Sequence, residues 1–191
     1  MKTNRRIHPA WIAAIVTFFT LVATAGFRSA PSVLIIPLQD AFGWHRDEIS
    51  LAIAINVLLY GLTAPFAAAL MERFTVRKVV MGALTTVSTG AFLTTLINAP
   101  WQLIATWGVI VGIGTGSMAL VFAATVANRW FVKRRGLVVG GLTAAAAMGQ
   151  LIFLPGLTHL SGMYGWKSIG LTIGAAALLM VPMIFVFLRE R

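Results

Sequence analysis

The chain has 191 residues, 59% hydrophobic and 10% charged, with 15 Lys+Arg against 5 Asp+Glu for a formal net charge of +10. A soluble domain carries roughly 25% charged residues, so there is too little polar surface here to cover a water-soluble globule; the mean hydropathy of +0.89 equally excludes a disordered chain. Zero cysteines exclude a disulfide framework, a thiolate metal site and a cysteine nucleophile.

A membrane helix needs roughly 20 mainly apolar residues to cross about 30 Å of hydrocarbon. Six stretches meet that length, at about 10–36, 49–71, 76–97, 101–127, 137–159 and 166–188. Each is long and uninterrupted, which favours helices over the short alternating strands of a barrel.

The first stretch is preceded by Lys2, Arg5 and Arg6, and Ala23-Thr24-Ala25 within it mimics a signal-peptidase site. The apolar run continues to Leu38, so the reading kept is a membrane span. Arg28 lies inside it, toward the end opposite the basic N-terminus. A central arginine costs up to about 2.5–3.5 kcal/mol on insertion scales, and it does not shed its proton. A fixed cation beside a cavity suits an anion, and the planar guanidinium suits a carboxylate. Thr17, Thr20, Thr24 and Arg28 recur every three or four positions and make one polar stripe. Two readings stay open: the stripe faces a cavity, or Arg28 snorkels to headgroups while the threonines bond their own backbone.

The second stretch repeats the pattern with Asn56, Tyr60 and Thr63, and the fifth offers Thr143, Ala147 and Gln150. Such groups either line the same cavity or bond between helices as packing glue. The fourth carries Gly108, Gly112 and Gly116 at intervals of four, the spacing that lets two helix backbones approach. Asp40, Asp47, Glu48, Glu72 and Glu190 all lie at span ends or in linkers. His159 and Asp40 are the only titratable groups near the pathway, each reading as a solvated boundary residue.

The cations sit in short clusters between apolar runs, so they report topology rather than nucleic acid. Twelve lie on one side, with Arg73, Arg77, Lys78, Arg129, Lys133, Arg134, Arg135, Arg189 and Arg191 joining the three at the start; Arg46 and Lys167 lie on the other. That bias places both termini in the cytoplasm. The aromatic-then-charged linkers recur at similar offsets: Phe42-Gly43-Trp44 matches Trp130-Phe131, and Phe74-Thr75-Val76-Arg77 matches Tyr164-Gly165-Trp166-Lys167. Two copies of a three-helix unit, 1–98 and 99–191, would be inverted in the membrane, as in secondary transporters.

These residues resemble the major facilitator superfamily. Ala68-Ala69-Leu70-Met71-Glu72-Arg73-Phe74-Thr75-Val76-Arg77-Lys78 is similar to its signature G-x-x-x-D-R-x-G-x-R-K, departing at Ala68, Glu72 and Thr75. Phe42-Gly43-Trp44 with Ser50, and Arg129-Trp130-Phe131 with Arg134-Arg135-Gly136, resemble the branch of monocarboxylate transporters and oxalate–formate antiporters. Gly108 stands where much of the superfamily has an arginine. The resemblance implies alternating access, with Arg28 as the anion-binding cation. It also implies a cytoplasmic gate of Glu72, Arg73, Arg77 and Lys78, with Arg129 as a partner for Glu72. Family members have two six-helix halves. The expectation is therefore a half or truncated carrier, completed by a second six-helix half or by a homodimer.

The expected fold is thus an all-α membrane protein: one domain, 1–191, of six transmembrane helices in two inverted three-helix repeats. The expected function is secondary transport of a small organic anion such as a monocarboxylate across a bacterial inner membrane. Arg28, Asn56, Tyr60 and Gln150 are the expected substrate-binding residues. No cofactor, metal or nucleic acid enters this reading; the lipid bilayer is the partner. One alternative is an inactive remnant or a non-transporting membrane subunit. A six-span intramembrane serine protease is remote, because Gly116-Ser117-Met118 lacks the G-x-S-G pattern and the sixth span has no histidine.

Overall fold

The computed structural model describes residues 9–118, 120–130 and 135–188, and the regular structure among them is helical. Helix α1 spans Pro9–Phe42, α2 Arg46–Arg73 and α3 Val76–Thr94. α4 comes in four pieces: Pro100–Leu103, the π-helical Ile104–Val111, Gly112–Gly116 and Leu120–Trp130. α5 spans Arg135–Tyr164 and α6 Lys167–Phe187. Ala13–Phe42, α2, Gly136–Tyr164 and α6 are each long and apolar enough to cross a membrane. Lys2, Arg5, Arg6, Lys133, Arg134, Arg189 and Arg191 lie outside the described residues.

The helix ends follow local chemistry. Gly43 and Gly165 stop α1 and α5 at φ +68° and +79°, where a side chain would be strained. Asp47 and Glu48 occupy the first turn of α2, and the Glu48 carboxylate accepts the His45 backbone N–H at 3.0 Å. Gln102 Oε1 accepts the Asn98 and Ala99 N–H groups at 2.6 and 3.2 Å, closing the start of α4 behind Pro100.

Two expectations change here. α1 continues through Pro31 and Pro37 to Phe42, six residues past the expected end. α4 is not the uninterrupted run expected. Four glycines lower its helix propensity, and hydroxyls compete for its carbonyls: Thr115 Oγ1 donates to Val111 O at 2.9 Å and Ser117 Oγ to Ile113 O at 2.9 Å. Ser117 and Met118 form a turn before the last piece.

Glycines set how the helices pair. On α4, Gly108 backs onto Ala52, Gly112 onto Asn56 and Gly116 onto Tyr60. Both sets of numbers rise together, so α2 and α4 run parallel. Gly149 against Val22 and Gly26 against Phe153 make α1 and α5 a second parallel pair. Gly170 lies against Ala91 and Thr95, and the Gly174 carbonyl accepts from Ser88 Oγ at 2.9 Å; one set of numbers rises as the other falls, so α3 and α6 are antiparallel. α3 also packs antiparallel on α4, through Gly90 on Val111 and Gly114 on Val87. The core holds Phe27, Leu38, Leu84, Trp107, Phe122 and Ile173, while Phe66, Leu96, Leu151 and Leu179 stay exposed as oil-facing side chains do.

Each end of the bundle is tied. At one end Phe42 and Trp44 stack with centroids 4.6 Å apart, and Phe42 meets Trp166 at 5.5 Å. This is the aromatic end. At the other, basic end, Arg129 Nη2 donates to the Met71 carbonyl at 3.1 Å, joining α4 to α2. Arg77 lies 4.1 Å over the Phe185 ring, joining α3 to α6.

Gly149→Val drives a side chain into the Val22 backbone, whereas nothing lies within 4 Å of a Cβ at Gly140. Thermal unfolding in detergent is expected to show Gly149→Val costing about 1–3 kcal/mol and Gly140→Val less than about 0.5 kcal/mol.

Candidate functional site

Counting 1.5 Å per residue back from Phe42, Arg28 sits about 21 Å below the aromatic end. The same count from Arg46 puts Tyr60 at about 21 Å, near the middle of α2. Arg28 is therefore deeper than its expected place toward one end, because α1 runs on to Phe42. Its side chain is exposed and turns sideways to α2. Nη1 donates to Tyr60 Oη at 3.3 Å, and Cζ lies 4.5 Å from the centre of the Tyr60 ring. Among the described residues no carboxylate pairs with Arg28. A ring face and a phenol stabilise the cation without neutralising it.

The rest of the expected stripe divides. Thr17, Thr20 and Thr24 are buried. Thr17 Oγ1 donates to Ala13 O at 2.7 Å, Thr20 Oγ1 to Val16 O at 2.8 Å, and Thr24 to Thr20 O. These threonines satisfy their own helix and do not join Arg28.

Asn56 is buried one turn from Tyr60, and its Nδ2 donates to the Trp107 carbonyl at 2.7 Å. That carbonyl belongs to the π-helical piece of α4, so the amide serves a helix–helix bond. Thr63 donates to the Leu59 carbonyl of its own helix. Gln150 is exposed on α5, and no hydrogen bond joins it to Arg28 or Tyr60 among the described residues. The structure thus brings Arg28 and Tyr60 together, sets Asn56 behind them and leaves Gln150 apart.

At the basic end Glu72, Arg73 and Lys78 are exposed. Arg129 was expected opposite Glu72; its guanidinium reaches the carbonyl of Met71, the preceding residue, and no ion pair joins it to Glu72 among the described residues. Arg73 lies 5.6 Å from the Phe74 ring, and the Lys78 N–H is capped by Thr75 Oγ1 at 3.4 Å. The Arg77–Phe185 contact was not foreseen, because nothing in the sequence pairs the start of α3 with the end of α6. His159 and Asp40 are exposed. Among the described residues no group of three His, Cys, Asp or Glu could hold a metal ion.

A groove of about 690 Å³ opens between α1 and α5, lined by Trp11, Ile15, Phe19, Leu137, Gly140 and neighbouring apolar residues. It excludes Arg28 and offers nothing to hold a charge.

The sequence model of the Major Facilitator Superfamily matches residues 14–191. An uncharacterized MFS-type transporter of Bacillus subtilis, YcxA, is 29% identical over 97% of this chain and 45% of its own length. Monocarboxylate transporter 9 of Mus musculus is 29% identical over 88% of this chain and 33% of its own. Monocarboxylate transporter 7 of Homo sapiens is 29% identical over 86% and 31%. The chain spans less than half the length of these relatives.

Asn56→Leu leaves the Trp107 carbonyl without its donor, and equilibrium unfolding is expected to show a loss of about 1 kcal/mol. Gln150→Leu, with no bond to lose, is expected to stay within about 0.5 kcal/mol of the parent.

Proposed function

We propose that this chain, which belongs to the Major Facilitator Superfamily, forms one six-helix wall of a secondary carrier for a small organic anion. Arg28 is the anion-binding charge and Tyr60 its holder. The observation that carries this reading is the unneutralised guanidinium near the middle of the longest helix, open on one side and held on the other by a neutral residue. A charge that costs free energy to insert is kept where it meets a counter-charge. A carboxylate would take the fork bidentately from the open side. The names of the mammalian relatives support a monocarboxylate as that carboxylate.

In this reading all six helices cross the membrane, in inverted units 1–98 and 99–191. The pairing of α1 with α5 and α2 with α4, both parallel, supports the inversion: exchanging the two units turns one pair into the other. Both termini face the cytoplasm of a bacterial cell, on the positive-inside bias and the bacterial relative. Glu72, Arg73, Arg77, Lys78 and Arg129 form the cytoplasmic gate, supported by the two ties at that end. Gln150 lines the same cavity, completed by a second six-helix unit, either the other half of a carrier or a second copy. Asn56 lines it only by way of its helix. Transport proceeds by alternating access between the two walls.

The chain has no cysteine, so Arg28→Cys provides a single reporter. Reaction of that thiol with a charged, water-borne reagent is expected, and protection by lactate or acetate is not, because the binding charge is gone. Uptake of radiolabelled monocarboxylate is expected to fall at least about tenfold in Arg28→Ala, the loss of one charge-assisted hydrogen bond. Arg28→Lys is expected to fall between, since lysine keeps the charge and loses the fork. Unchanged uptake in Arg28→Ala removes the anion role.

A further inference from the structure

The α2–α4 seam is tightest under the residue that holds Arg28. A Cβ added at Gly108 would meet the Ala52 carbonyl at 3.1 Å, and one at Gly112 would meet Asn56 Cα at 3.1 Å. At Gly116 the added atom would meet the Tyr60 carbonyl at 2.7 Å, Tyr60 Cα at 2.9 Å and Thr63 Cβ at 3.1 Å. The first two contacts are backbone, which cannot swing aside as a side chain can. α2 at this height is therefore seated on bare α4 backbone.

One turn up, the Asn56 amide bonds the Trp107 carbonyl of the π-helical piece and fixes the register of the same two helices. α1 and α2 touch over only a short stretch, so the position of Tyr60 against Arg28 is set from behind, by α4.

We propose that Gly116 is a positioning residue for the Arg28–Tyr60 pair. It lets α2 sit close enough to α4 that Tyr60 presents both its ring and its hydroxyl to the guanidinium, and Asn56 locks that register. Neither residue touches the anion. Moving α2 by the few tenths of an ångström that a methyl group demands displaces Tyr60 relative to the guanidinium and disturbs a hydrogen bond already at 3.3 Å. The consequence for affinity rests on the carrier reading; the seating itself does not.

The chain holds two tyrosines, so 3-fluorotyrosine labelling gives two ¹⁹F signals, assigned with Tyr164→Phe. Gly116→Ala is expected to shift the Tyr60 signal. Gly170→Ala is the matched control. Its Cβ meets the Ala91 carbonyl at the same 2.7 Å, but in the α3–α6 seam. It is expected to leave the signal in place. Gly112→Ala, a milder wedge, is expected to shift it less, and it stands in if Gly116→Ala does not fold. Lactate titration is expected to show about tenfold weaker binding for Gly116→Ala, and no further loss when it is added to Tyr60→Phe, since neighbours acting through one group are not additive.

An unmoved Tyr60 signal in both wedge variants overturns the proposal, as does an equal shift in Gly170→Ala. Additive losses in the double variant overturn it too. A shift confined to the α2–α4 wedges in a protein that binds no carboxylate upholds the seating and removes the carrier reading.

Discussion

A guanidinium set near the middle of an oil-facing bundle has to be held without being cancelled. An acidic neighbour would neutralise Arg28, and among the described residues none pairs with it. A purely apolar neighbour would leave the charge exposed to hydrocarbon at a cost of several kcal/mol. Tyr60 stands between those extremes, with a polarisable face 4.5 Å from the charge and a hydroxyl that accepts from it. Much of the local structure serves that contact. α1 must run deep, α2 must approach it at one height, and α4 must present enough bare backbone for α2 to settle there.

In hydrocarbon the apolar surface of one helix gains little by leaving lipid for another helix, so close backbone approach and a few buried hydrogen bonds carry the packing. The bundle follows that rule. Its four tightest seams run on glycine, and two of its buried interhelical hydrogen bonds, Asn56 to Trp107 and Ser88 to Gly174, end on backbone carbonyls. Membership of the Major Facilitator Superfamily fits this economy: helices that touch through small residues pack closely while each keeps its own hydrogen bonds.

Helix existence was legible in the sequence because apolar length is a composition signal and needs no knowledge of neighbours. Arg28 was legible for the same reason, as one charge inside such a run. Its depth differs from the expected place, since the span is expected to end at about residue 36 and the structure carries α1 through Pro31 and Pro37 to Phe42. The interruption of α4 was hidden, because glycines at a spacing of four read equally as a packing stripe on a straight helix; they are such a stripe, and the helix also widens beside it. Asn56 and the threonines were grouped with Arg28 on periodicity alone. Periodicity gives a face and cannot say what covers it. The threonine face is buried at the level of Thr17 and open at the level of Arg28. The Arg77–Phe185 contact joins positions more than a hundred residues apart, beyond any local pattern.

The two fastenings at the basic end have a character of their own. One is a guanidinium on a peptide oxygen and the other a guanidinium on an aromatic face, at Met71 and Phe185. Neither is a pair of opposite full charges, which is the kind of contact that mobile ions weaken most across a Debye length of about 10 Å. Changes in ionic strength therefore find little leverage on these two contacts, and parting α4 from α2 or α3 from α6 at this end takes mechanical movement of the helices themselves.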